Sequence, residues 1–330
     1  MSLPRVAFIG TGGTIASLGT TPLDLLDYGA TGQIISAEAI LARFPAVATV
    51  AEVAPISFRA VPSSRIYFDD WKALAALCLR LEAEDAGLAG IVIGHGTGSL
   101  EETAYFLSLT LKTRIPVVIT GSQRPASALS SDAGLNLVNA IRTAAAPAAR
   151  GMGVLVLLND EIHAARDVTK TSTGRMQTFR TPDFGALGHA DGDAIVFYRR
   201  PLRIAAPDTE FDIASLDALP RVDIAYGYTG SDGIALRAFT AAGALGIIYA
   251  GFAPGMSTPE DFTAMEEAVA AGVVVMQCTR AGSGRVFQGQ RLRKAGILTT
   301  DNLTPQKARL LLALGLTRGA GEVARVFATY

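Results

Sequence analysis

Short apolar runs, each ended by a glycine-bearing turn, alternate along the chain with longer stretches whose apolar residues recur every three or four positions. The short runs predict buried strands and the longer period predicts amphipathic helices. On this basis strands are expected at 5–9, 50–58, 89–93, 115–120, 154–158 and 194–198, and helices at 35–44, 71–84 and 132–145. A further helix opens at Ser99, with Leu100, Ala104, Leu107 and Leu111 on its apolar period. Glu102 stands three residues after Ser99, the spacing of a capping box. Residues 199–220, with prolines and mixed charge, read as a linker, after which strands at 222–228, 245–250 and 273–278 alternate with helices at 231–240, 259–271 and 304–316. Strands alternating with helices make a parallel sheet covered on both faces. The fold class is therefore α/β: a larger N-terminal domain at 1–198, mostly parallel sheet with flanking helices, and a smaller C-terminal α/β domain at 221–330. In such sheets the functional turns lie at the carboxyl ends of the strands.

Composition narrows the class. At 330 residues, with 49% hydrophobic residues and a mean hydropathy of +0.33, the chain can bury a sizeable core. The net charge is −1 and no run of like charge occurs, which excludes nucleic acid as an expected partner. Met1, Ser2, Leu3 and Pro4 lead straight into the first strand-like run, so no signal peptide is predicted and a cytoplasmic location is expected. Residues 239–256 are uncharged but broken by Gly243, Gly246, Gly251, Pro254 and Gly255, which predicts a strand and turn and not a membrane span. Cys78 and Cys278 are the only cysteines; their context suggests buried, reduced thiols and neither a metal site nor a redox pair.

The candidate chemistry sits in the turns. Gly10 and Gly12 begin a dinucleotide fingerprint, but Ile15 occupies the third glycine position and the residues up to Gly32 show no helical pattern, so nicotinamide binding is disfavoured. What remains is a glycine-flanked hydroxyl, Thr14, followed by a loop with one tyrosine, Tyr28; the loop is either a lid over the strand ends or a surface loop packed on its own base. Thr97 occupies a second glycine turn where a strand passes into a helix, a place where free N–H groups and the helix dipole favour negative charge. Ser63 and Ser64, in a turn before a helix, are ligand contacts or helix caps. Gly121 to Pro125 form a third turn, after the strand at 115–120. Lys170, in a polar run from Arg166 to Thr171, is a candidate base if shielded from water and a surface lysine if not. His95 fits better as the filling of a strand end than as a catalyst. His95, His163 and His189 have no metal-ligand spacing, and neither a G-x-S-x-G elbow nor a Walker lysine occurs.

Together these turns resemble the bacterial-type L-asparaginase/glutaminase family. The likeness is carried by Thr11-Gly12-Gly13-Thr14-Ile15-Ala16, by His95-Gly96-Thr97 leading into Glu101-Glu102-Thr103-Ala104-Tyr105-Phe106-Leu107, by Gly121-Ser122-Gln123-Arg124-Pro125, by Arg166-Asp167-Val168-Thr169-Lys170-Thr171 and by Pro305-Gln306-Lys307-Ala308-Arg309. The resemblance implies a homotetramer built as a dimer of dimers, no cofactor and no metal, and a small-molecule amide substrate attacked by a threonine through an acyl-enzyme. By position it implies Thr14 as the nucleophile assisted by Tyr28, Thr97 with Lys170 as a second threonine and its base, Ser63 and Ser64 at the substrate carboxylate, and Ser122 as a backbone contact to the amide.

The chain also departs from that family. Where the family carries an aspartate that grips the substrate ammonium, this chain has Gly98, within Gly96-Thr97-Gly98-Ser99. Residues 282–294, where a second acid is expected, hold none but contain Arg285, Arg291 and Arg293, and Ser63-Ser64-Arg65 replaces a turn that usually carries an acid. The expectation is an amidohydrolase of asparagine type. The alternatives are the same machinery with a substrate lacking a free α-ammonium (an N-blocked or deaminated amide, a lactam or a small ester) and a non-catalytic ligand-binding relative.

Overall fold

The structure is a computed structural model that describes residues 2–330; Met1, from which the expected direct entry into the first strand starts, lies outside the described residues. The chain divides into two compact units, one ending at Ser215 and one running Leu216–Tyr330.

The first unit is built on an eight-stranded sheet. Its strands are β1 (Arg5–Gly10), β2 (Glu52–Ser57), β3 (Leu88–Gly94), β4 (Val117–Thr120), β5 (Val154–Leu158), β6 (Glu161–Ala164), β7 (Gly188–Ala190) and β8 (Ile195–Phe197). They lie in the order β8-β7-β6-β5-β4-β3-β1-β2. The strands β2, β1, β3, β4 and β5 are mutually parallel, and β6 to β8 extend the edge antiparallel. Helices α1 (Ala37–Arg43), α2 (Phe68–Glu84), α3 (Leu100–Thr110) and α4 (Ala133–Ala145) flank it. Central strands read as unbroken apolar runs because helices cover both faces. Val6, Phe8, Val92, Val118 and Leu155 accordingly pack with Leu137, Ala140, Ile141 and Ala144 of α4 in one core.

The parallel part, β2-β1-β3-β4-β5, reverses direction of winding between β1 and β3. At such a switch point the connections leave to opposite sides and open a crevice beyond the carboxyl ends of the strands. The turns carrying Thr14 and Thr97 follow these two strands.

The region after β5 differs from its sequence reading. Asn159 and Asp160 both adopt positive φ, 52° and 65°, and Leu158 pairs with Glu161, so a two-residue turn folds β6 back on β5. The polar run from Arg166 to Thr171 has no apolar period, yet Thr169–Lys170 pairs antiparallel with Phe179–Arg180 in a separate ribbon.

The second unit carries four parallel strands in sequential order, β9 (Val222–Tyr226), β10 (Gly246–Gly251), β11 (Val274–Thr279) and β12 (Leu298–Thr299). Helices α5 (Ile234–Ala241), α6 (Pro259–Ala270) and α7 (Pro305–Leu316) accompany them, and Leu236, Ile247, Val275, Phe262 and Met265 form its core. Among the described residues no helix is long and apolar enough to cross a membrane. Both cysteines are free and buried, and burial pushes their thiols up to about 12 for Cys78 and about 11 for Cys278.

Candidate active site

Two glycine turns at the switch point form the centre of the site. Gly12 and Gly13 adopt left-handed φ of 90° and 80°, which residues with a Cβ rarely do. This bends the chain so that Thr14 starts a short 3₁₀ turn beside the next strand's end. A Cβ on Gly13 would lie 2.3 Å from the Gly96 Cα, so the two turns touch glycine to glycine. Thr11 stitches them, its N–H and its hydroxyl both donating to the Gly94 carbonyl at 3.0 Å. Each turn presents a threonine whose hydroxyl meets a side chain from elsewhere in the unit. Thr14 Oγ1 is 3.0 Å from the Tyr28 hydroxyl, and Thr97 Oγ1 is 2.9 Å from Lys170 Nζ.

Tyr28 comes from the loop after Thr14, whose two ends are clamped by pairing of Ser17–Leu18 with Gln33–Ile34. The loop lies against the 126–129 segment through the Gly19 N–H to Ser127 Oγ bond, at 2.8 Å, and the Leu129 N–H to Pro22 O bond, at 2.9 Å. Tyr28 thus reaches Thr14 across the turn and does not simply pack on the loop's base. Lys170 is half-buried, and loss of water lowers its pKa from the ordinary 10.5, against the opposing charge of Glu101. Glu101 is itself buried, and its Oε1 accepts the Lys170 N–H at 3.3 Å.

Ser63 sits in a 3₁₀ turn, Ser63–Arg65, and faces the second glycine turn. Its Oγ accepts the Ser99 N–H at 3.3 Å, and the Ser99 hydroxyl donates to the Ser63 carbonyl at 2.7 Å. The expected capping box at Ser99 is therefore not made: the serine side chain is turned to the neighbouring loop and makes no cap bond. Ser64 and Arg65 are exposed. Ser122 is fully buried and donates to the Arg124 carbonyl at 2.7 Å, so its hydroxyl holds its own turn. That turn is pressed against the site all the same, since a Cβ on Gly121 would lie 3.2 Å from Thr97 Cγ2. Gly98 is exposed, and a Cβ there would meet only Ser63 Oγ, at 3.0 Å.

Behind the turns lies a buried chain that sequence reading reduced to a filled strand end. Carbonyls only accept, so His95 Nδ1, 2.8 Å from the Gly96 carbonyl, carries the proton. Burial lowers the His95 pKa to about 4, so the ring is neutral and Nε2 is an acceptor. Thr103, 3.0 Å away, donates to Nε2 and accepts the Trp71 indole N–H at 2.9 Å. A chain of donors thus runs from α2 through α3 to the turn carrying Thr97. Asp132 supports the third turn in a similar way, accepting the N–H groups of Gln123 and Arg124 at 2.9–3.1 Å. The signals for these supports were single residues, Trp71 and Thr103 inside helices, His95 in the turn after β3 and Asp132 just before α4, which spacing alone does not connect.

In the second unit, Arg285 pairs with Asp301 at 2.9 Å and Arg291 stacks over Phe262, 3.6 Å from the ring centre. Two of the three arginines in 282–294 thus have structural partners. Among the described residues no group of three or more His, Cys, Asp or Glu is placed to hold a metal.

Comparison with known proteins gives a consistent result. The family model described as "Asparaginase, N-terminal" matches residues 5–203, and "Glutaminase/Asparaginase C-terminal domain" matches 221–327. L-asparaginase 2 of Bacillus subtilis is 40% identical over 319 residues, covering 96% of this chain and 83% of that protein. A glutaminase-asparaginase of Pseudomonas fluorescens is 36% identical, covering 99% and 91%. The crystal structure of a probable cytoplasmic L-asparaginase from Campylobacter jejuni superposes with a TM-score of 0.93 at 34% identity, covering 99% of this chain and all of the other.

Proposed function

The chain belongs to the asparaginase family, and from that premise we propose that it hydrolyses a short carboxamide to a carboxylate and ammonia, with Thr14 as nucleophile. The relatives' names point to the side-chain amides of asparagine and glutamine as the reference substrates. Thr14 Oγ attacks the amide carbon, and N–H groups of the two glycine turns hold the developing oxyanion. The Thr14 proton passes through the Tyr28 hydroxyl to the departing nitrogen as the C–N bond breaks, leaving an ester on Thr14. Neutral Lys170 then takes a proton from water through Thr97, hydroxide adds to the ester, and the proton returns to Thr14 as the C–O bond breaks. The chemistry uses protein groups alone.

The observation that carries this reading is the pair of hydroxyls on touching turns, one 3.0 Å from a phenol and the other 2.9 Å from a lysine whose charge burial disfavours. A threonine needs such a neighbour before it is a useful nucleophile. The test is ammonia release by wild type and Thr14→Ala from L-asparagine, L-glutamine and succinamate. Loss of a nucleophile is expected to lower turnover by about 10³-fold or more. A Thr14→Ala protein with wild-type rates would assign the nucleophile elsewhere.

A further inference from the structure

The wall around the threonines is built from neutral groups. Ser63 and Ser64 follow β2, Gly98 and Ser99 follow β3, and the Gly121–Ser122 turn follows β4. No carboxylate stands among them, and Glu101, Asp132, Asp70 and Asp24 on the adjoining elements are engaged. Glu101 accepts the Lys170 N–H at 3.3 Å, and Asp132 accepts the Gln123 and Arg124 N–H groups. Asp70 accepts the Tyr67 N–H at 2.9 Å and pairs with Arg59 at 3.0 Å, while Asp24 accepts the N–H groups of Thr20 and Asp27 within the loop that carries Tyr28.

Positive charge, by contrast, is present. Lys170 stands at Thr97, and α3 starts at Leu100 with the positive end of its dipole at Gly98 and Ser99. Room for an acid exists: a Cβ on Gly98 meets only a rotatable hydroxyl, and Gly98 does not adopt a left-handed backbone. The missing anion is a matter of residue choice and not of space. An ammonium brought to this wall exchanges water for hydroxyls and a dipole of the wrong sign.

We propose that the site selects short carboxamides that carry a carboxylate but no free α-ammonium, of the succinamate or N-acyl-asparagine type, an inference that rests on the amidohydrolase reading of the same site. Ser63 Oγ accepts the Ser99 N–H, which leaves its own O–H available to donate to a carboxylate oxygen. Gly98 is the specificity-determining position, because it stands beside Ser63 on this wall and offers an α-ammonium no carboxylate. The bond cleaved is the amide C–N bond, with water as the co-reactant and ammonia as the leaving group.

The deciding measurement is kcat/KM for succinamate, N-acetyl-L-asparagine and L-asparagine, first on wild type and then on Gly98→Asp and Gly98→Asn. A charge-assisted hydrogen bond separates matched from unmatched ligands by about 10- to 150-fold. Wild type is expected to prefer succinamate to asparagine by that factor. Gly98→Asp is expected to reverse the order, and Gly98→Asn, which adds the same bulk without the charge, to leave it unchanged. Asparagine turned over as well as succinamate by wild type would overturn the inference and leave the amidohydrolase reading standing. An unchanged order in a folded Gly98→Asp protein would do the same. Ammonia from none of the three amides would overturn both.

Discussion

The turns after β1 and β3 are built alike and equipped differently. Each leaves a central parallel strand through glycine, each presents one threonine, and the two touch at Gly13 and Gly96. The first is half-buried and answers to a tyrosine on a loop. The second is buried, anchored from behind by His95, Thr103 and Trp71, and answers to a lysine. On the proposed mechanism the same local motif thus acquires two chemistries from what surrounds it. A phenol can relay a proton; a desolvated amine can keep one.

The sharpest way to separate the two turns is to remove each partner. Tyr28→Phe and Lys170→Met are each expected to lower turnover by about 10²- to 10⁴-fold, the range for a lost acid–base group. The failures should differ in kind. Lys170→Met should release one ammonia per chain in a burst and hold the acyl group as an added mass on the intact protein, whereas Tyr28→Phe should show neither. Absence of both burst and adduct in Lys170→Met would place the lysine before the ester. The base must be neutral, so turnover should climb with pH towards a Lys170 pKa that burial sets below 10.5. Arginine stays charged, and Lys170→Arg should lose that climb.

A second test addresses the anchor that only the Thr97 turn has. The folded protein holds His95 neutral down to about pH 4, while the unfolded chain binds its proton near 6.5. The unfolded state therefore takes up more protons between these values, and stability falls as pH falls through that window. The loss attributable to this ring is about 3 kcal/mol, measured by denaturant unfolding at pH 7 and pH 4. His95→Gln should show a smaller difference between the two pH values; an equal one would remove the anchor from the account.

Smaller still is the effect of forcing the turns apart. Gly13→Ala puts a methyl 2.3 Å from the Gly96 Cα at a φ of 80° and is expected to destabilise by about 1–3 kcal/mol. Its kcat should fall further than its stability implies, because both hydroxyls move. Unchanged kcat would mean that contact between the turns is not what sets their geometry.

The sequence made the parallel sheet and its turns legible because apolar strands and glycine punctuation are local signals. Leu88–Gly94, Val154–Leu158 and Ala133–Ala145 fall where periodicity put them, within a residue or two at the ends. Thr14, Thr97 and Lys170 stood out only as members of recognisable motifs; spacing alone left each with an ordinary alternative. What stayed hidden depends on contacts far apart in the chain. Ser99 looks like a helix cap until Ser63, 36 residues away, takes its hydroxyl. Lys170 looks like a surface lysine until a ribbon partner and Glu101, 69 residues earlier, fix it beneath Thr97. Asn159 and Asp160 are turn formers by type, yet the strand after them is too short to announce itself.

The contact between Gly13 and Gly96 has one more consequence. With no side chain between them, the two turns meet backbone to backbone at the ends of neighbouring strands, which lie about 4.8 Å apart in any sheet. On the proposed mechanism the pair of threonines is thus positioned by backbone hydrogen bonds, the least mutable ruler a protein has. On that reading, residues around it, Gly98 among them, can be exchanged without disturbing that ruler, so selectivity can drift while the machinery stays in register.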